Sequence, residues 1–97
     1  MCTWTTETAE IAGSGKGANG WFPVRRAVVY YDHPYHAFLD HALNINFVNE
    51  EMGPSARVAV ELTAESARAL VSTILAALES AEAHDLLAQA SQETVVA

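Results

Sequence analysis

Cationic side chains are scarce in this sequence: Lys16 is the only lysine, and with Arg25, Arg26, Arg57 and Arg68 it faces twelve Asp and Glu, for a formal net charge of -7. A surface of that sign repels a phosphate backbone, so nucleic acid is not an expected partner, and anionic membrane is disfavoured for the same reason. Cys2 is the only cysteine, which rules out an internal disulfide and fits a reducing compartment. Long hydrophobic runs are missing too. No unbroken apolar run exceeds that of Ala27 to Tyr31, far short of the roughly 20 residues a spanning helix needs. The first residues carry Glu7 and Glu10 and no cationic start before an apolar stretch, which is not the pattern of a secretory signal. The expected location is the cytoplasm.

What is present favours folding. Apolar residues make up 51% of the 97 and charged ones 18%, a balance far from that of intrinsic disorder, in a chain long enough for one core and too short for two. One domain is expected over residues 1–90, with 91–97 as a mobile tail. Residues 2–11, rich in Thr with Trp4 and Ile11, favour a strand. Gly13 to Gly20 holds four glycines in eight residues and reads as a loop. A second strand over 24–31 ends in Ala27-Val28-Val29-Tyr30-Tyr31, apolar on both sides, as suits a central strand covered on both faces. If one helix covers one face, a second subunit is the economical cover for the other, so a homodimer is expected.

Residues 41–49 alternate, with Leu43, Ile45 and Phe47 on one side and Ala42, Asn44, Asn46 and Val48 on the other. Residues 56–63 do the same with Val58, Val60 and Leu62. The Gly53-Pro54 loop between them makes a hairpin, and apolar matching sets Phe47 opposite Val58, Ile45 opposite Val60, Leu43 opposite Leu62 and, outside, Asn44 opposite Glu61. From Thr63, a candidate N-cap, Ala67, Leu70, Val71, Ile74, Leu75 and Leu78 recur at helical steps. The fold class expected is therefore α+β: a four-stranded antiparallel sheet with one long C-terminal amphipathic helix packed on one face, in ββββα order.

The chemistry-bearing cluster is Asp32-His33-Pro34-Tyr35-His36-Ala37-Phe38-Leu39-Asp40-His41. Neutral imidazole binds zinc and similar divalent ions, and three ligands leave a position open for water, whose lowered pKa would support a small hydrolase or lyase. His33, His36 and His41 are the candidate metal ligands, Cys2 a fourth, and Asp32 and Asp40 would orient the rings. The spacing matches none of the specific zinc signatures, and loop histidines making ordinary hydrogen bonds are the competing reading. In that case the protein is a non-enzymatic dimeric module, its outer sheet face binding a small-molecule ligand or a protein, without metal. Lys16, on the glycine-rich segment, is a candidate cationic contact to a substrate. His84 reads as a solvated residue, and Trp4, Trp21, Tyr31 and Tyr35 as core, interface or pocket lining.

Gly13-Ser14-Gly15-Lys16-Gly17, the Asp32-His33-Pro34 with His36 and His41, Leu43-Asn44-Ile45, and Gly53-Pro54 leading to Arg57-Val58-Ala59-Val60-Glu61-Leu62 together resemble a family of small uncharacterised proteins common in actinobacterial genomes. The resemblance runs from Gly13 to Leu70 and, the family being a domain of unknown function, implies no activity. That family's pattern has an acidic residue after the Asn-Ile pair where this chain has Asn46, so no carboxylate role carries over to that position.

Overall fold

The computed structural model describes residues 5–83, and the chain divides into two units, Met1–Ala64 and Glu65–Ala97. Cys2, Trp4, His84 and the tail expected over 91–97 lie outside the described residues.

The first unit is a sheet of four strands, β1 (Thr6–Gly17), β2 (Gly20–Asp32), β3 (Ala42–Val48) and β4 (Arg57–Leu62), antiparallel throughout and arranged β1-β2-β3-β4. The apolar run of β2 is thus interior, paired on both edges. The β3–β4 register is the one apolar matching selects: Phe47 pairs with Val58, Ile45 with Val60, Leu43 with Leu62, and Asn44 with Glu61. A one-residue slip would turn every one of these side chains to the opposite face, which is why the alternation specifies it so firmly. Asn49, only 3% exposed, fastens the connecting loop. Its Oδ1 accepts from the Glu51 N–H at 3.2 Å, starting a 3-10 turn over Glu50–Met52, and its Nδ2 donates to the Pro23 carbonyl at 2.9 Å.

The glycine-rich segment is not the loop expected over 13–20, nor does the first strand stop at 11. β1 continues to Gly17, and only Ala18 and Asn19 turn before β2 begins. Glycine lowers strand propensity locally, yet here the absence of side chains permits a close approach. A Cβ on Gly15 would lie 2.9 Å from Val24 Cγ2 and 3.6 Å from Val58 Cγ2, and one on Gly17 would lie 3.2 Å from Phe22 Cε1 and 3.3 Å from the Arg57 carbonyl oxygen. The sheet curls, and the bare end of β1 lies over the side chains of β2 and β4. A bulge between Glu10 and Gly13 accompanies the curl, and the buried positions of β2 change phase across it, from Phe22 and Val24 to Ala27. The core gathers at this end of the sheet, with Phe22, Val24 and Ala56 buried and Ile11, Phe47 and Val58 packed against them.

The second unit is α1 (Ala64–Ala83), with Glu65 in its first turn, where a carboxylate suits the helix dipole. The expected apolar stripe is present: Ala67, Leu70, Val71, Ile74, Leu75 and Leu78 recur along one face of α1. Among the described residues, no helix is long and apolar enough to cross a membrane.

Candidate functional site

The segment from His33 to His41 leaves the sheet at the end of β2 and returns at the start of β3. Short polar contacts fold it. Asp32 Oδ1 accepts from the His33 N–H at 2.7 Å, the His33 ring bonds the Asp40 carbonyl through Nδ1 at 2.9 Å, and the Leu39 N–H donates to the Ala37 carbonyl at 3.0 Å. Because a carbonyl oxygen only accepts, Nδ1 of His33 carries the proton, and in the neutral ring Nε2 is the basic nitrogen.

The strongest tether comes from the sheet. Glu61, on the outer face of β4, receives three successive backbone N–H groups in its carboxylate. Tyr35 donates to Oε2 at 2.6 Å, Ala37 to Oε1 at 2.8 Å, and His36 to both oxygens at 3.0 and 3.1 Å. Consecutive amides aimed at one anion form a backbone nest, here filled by the protein's own side chain. The Ala37 N–H foremost, opposed by partial burial and reinforced by the Tyr35 and His36 amides and the His36 ring, holds the Glu61 carboxyl below the usual carboxylate range.

Pinned in this way, the loop and the outer sheet face enclose a cleft of about 620 Å³. The loop contributes His33, Tyr35 and His36 to its wall, and Tyr30 of β2 stands beside them. The floor is polar and low. Asn44 and Asn46 of β3 lie next to Glu61 and Ala59 of β4 in the register, and the small Ala59 leaves the hollow between Glu61 and Arg57. Asn44 is nearly buried and donates to the Ala42 carbonyl at 3.0 Å, while Asn46 Oδ1 accepts from Arg57 Nε at 2.8 Å, steadying the guanidinium at the far end. In a chain of net charge -7, this cleft carries an arginine and two imidazoles, and its single carboxylate is already occupied by backbone amides.

The four candidate ligands fare differently. His33 and His41 come together, but as a stack, ring centroids 4.8 Å apart and planes 24° from parallel, and Tyr31 stacks on His41 at 5.9 Å. His36 lines the cleft. Cys2 lies outside the described residues. Zinc needs lone pairs meeting at one point about 2.0–2.1 Å from each nitrogen, whereas nearly parallel rings send their in-plane lone pairs side by side. Among the described residues, no group of three or more His, Cys, Asp or Glu is arranged to hold a metal ion. Lys16 is a strand residue and not a loop cation, and it borders a separate hollow beside Phe47 and Val58. Of the expected aromatics, Trp21 is 70% exposed and Tyr35 lines the cleft.

Sequence reasoning placed Glu61 opposite Asn44 on the outer face but gave it no role, and it passed over Arg57 and Ala59. The available signal was a run of polar residues, Asn44, Asn46, Arg57 and Glu61, on the sheet face next to the histidine loop. No curated protein and no solved structure matches the chain. The resemblance carried by Gly13 to Leu70 is to an uncharacterised family, and the match found is of that kind: the model of a family of unknown function, DUF6295, covers residues 1–88, and the chain belongs to that family.

Proposed function

We propose that the protein is a binding module that takes a small polar ligand in the cleft between the His33–His41 loop and the outer face of the sheet. The observation that carries this reading is the Glu61 tether. Hydrogen bonds from three backbone amides hold the loop over the sheet before any ligand arrives, so little ordering remains to oppose binding. A volume of about 620 Å³ falls within the ordinary range of small-molecule sites. Arg57 at one end and His33, His36 and Tyr35 at the other supply donors some distance apart, with Asn44 and Asn46 between them.

Zinc held by His33, His36 and His41, with Cys2 in reach and hydrolase or lyase chemistry at the metal, is the less favoured alternative, because the His33 and His41 rings would have to leave their stack. One set of measurements separates the two. Thermal shift against a library of small polar compounds should yield ligands that stabilise the protein, and Ala59→Phe, which fills the floor, should abolish the shift without unfolding the sheet. Ligands that bind Ala59→Phe unchanged, or one equivalent of zinc retained by tag-free protein and released in His36→Ala, would overturn the cleft reading. The run Ala27 to Tyr31, apolar on both faces of β2, supports a homodimer as the working form.

A further inference from the structure

Resting on the reading of the cleft as a ligand site, we infer that its ligand is a small monocarboxylate, bound through the unused donors of the Arg57 guanidinium. All the residues that line the cleft belong to the first unit. Arg57 is held in place there by Asn46, whose Oδ1 accepts from Arg57 Nε at 2.8 Å. Asn46 is a neutral amide, so it takes one donor without cancelling the charge. A guanidinium carries five N–H donors. Those on the two Nη atoms remain, and they form the fork that meets a carboxylate in two parallel hydrogen bonds.

The protein's own carboxylates are engaged elsewhere. Arg26 pairs with Glu10 and Glu50 at 3.0 Å each, and among the described residues no carboxylate pairs with Arg57. Glu61 stands on the same face of β4, but Ala59 lies between, and a strand rise of ~3.3 Å per residue sets the two backbone positions about 13 Å apart. The Glu61 oxygens are moreover taken by the amides of Tyr35, His36 and Ala37, so they do not quench the arginine. Charge then selects the valence of the ligand. Arg57 is the one permanent cation lining the cleft, in a chain of net charge -7. A single carboxylate cancels it, whereas a phosphate dianion would bring an unmatched negative charge into an acidic protein. A neutral group would meet the same fork with weaker hydrogen bonds.

Matched series built on benzoate, 3-phenylpropanoate and hexanoate, each as acid, primary amide, amine and phosphonate, should be titrated against the full chain at constant ionic strength. The acids should bind best, and their amides about tenfold or more weaker, since hydrogen bonds to a charged group are the stronger kind. Arg57→Gln should bring the acids down to the level of the amides, and Arg57→Lys, which keeps the charge and loses the fork, should fall between. Arg57 is exposed, so neither substitution should unfold the sheet. Ala59→Phe should abolish binding of every series. Acids indifferent to both Arg57 substitutions would overturn the monocarboxylate and leave the cleft standing, as would amides, amines or phosphonates that match or exceed the acids and are blocked by Ala59→Phe. No binder in any series, or binding indifferent to Ala59→Phe, would overturn the cleft reading and the ligand class together.

Discussion

The two ends of β2 hold the same sheet together by opposite means. At the Gly20 end the sheet is closed by apolar contact: Phe22 and Val24 are buried, and β1 approaches them closely at Gly15 and Gly17. At the Asp32 end closure is polar, a nine-residue histidine-rich connection held down by one carboxylate and three amides. The first arrangement packs the apolar core and specifies the fold, while the second opens a polar cleft and is tied by bonds that a change of charge can undo. Stability should therefore reside at the glycine end, and function, together with pH sensitivity, at the histidine end.

The largest effect should come from Phe22→Ala, which empties the centre of the apolar end and should cost about 3–5 kcal/mol, measured as a fall in denaturation midpoint. A change near zero would show that this end is not the core. Gly15→Val should cost less, about 1–3 kcal/mol, because a Cβ 2.9 Å from Val24 Cγ2 obliges either β1 or the valine to move. If the variant were as stable as the parent, the close approach would not constrain the glycine.

The smallest global effect, and the most local one, should follow Glu61→Gln. The fold should persist, with hydrogen exchange at the amides of Tyr35, His36 and Ala37 accelerated and exchange at β1 unchanged. The pH dependence has a definite sign. The folded-state pKa of Glu61 is depressed below 4.5, so its contribution is complete above the unfolded carboxylate value and fades as pH falls from there through the lower folded value. Loop protection should thus be flat from neutrality down to about pH 5 and lost below it, and Glu61→Gln should remove that dependence. Protection that persisted equally in parent and variant at low pH would mean that another contact holds the loop.

Much of the sheet was legible in the sequence because strand alternation is a local record of a long-range fact. Leu43, Ile45 and Phe47 share a face with Val58, Val60 and Leu62 only in registers of one parity, and closing the Gly53-Pro54 loop selects the observed one. The glycine segment misled for the converse reason. Propensity reports what glycine does to an isolated backbone, and the advantage of Gly15 arises only when Val24, Phe22 and Val58 arrive from other strands. The histidine cluster was half legible. Its spacing allowed His33 and His41 to meet, but whether they would meet edge to edge or face to face depended on the path of the loop, which Glu61 sets from 25 residues further along the chain than His36.

By itself the sequence determined the α+β class, the β3–β4 pairing and the amphipathic helix, since periodicity, turn residues and chain connectivity act between near neighbours. The tertiary structure alone decided that the glycine-rich stretch would be a strand, that His33 and His41 would stack, and that Glu61 would pin a cleft, because each outcome depends on atoms brought together from distant positions by the curl of the sheet.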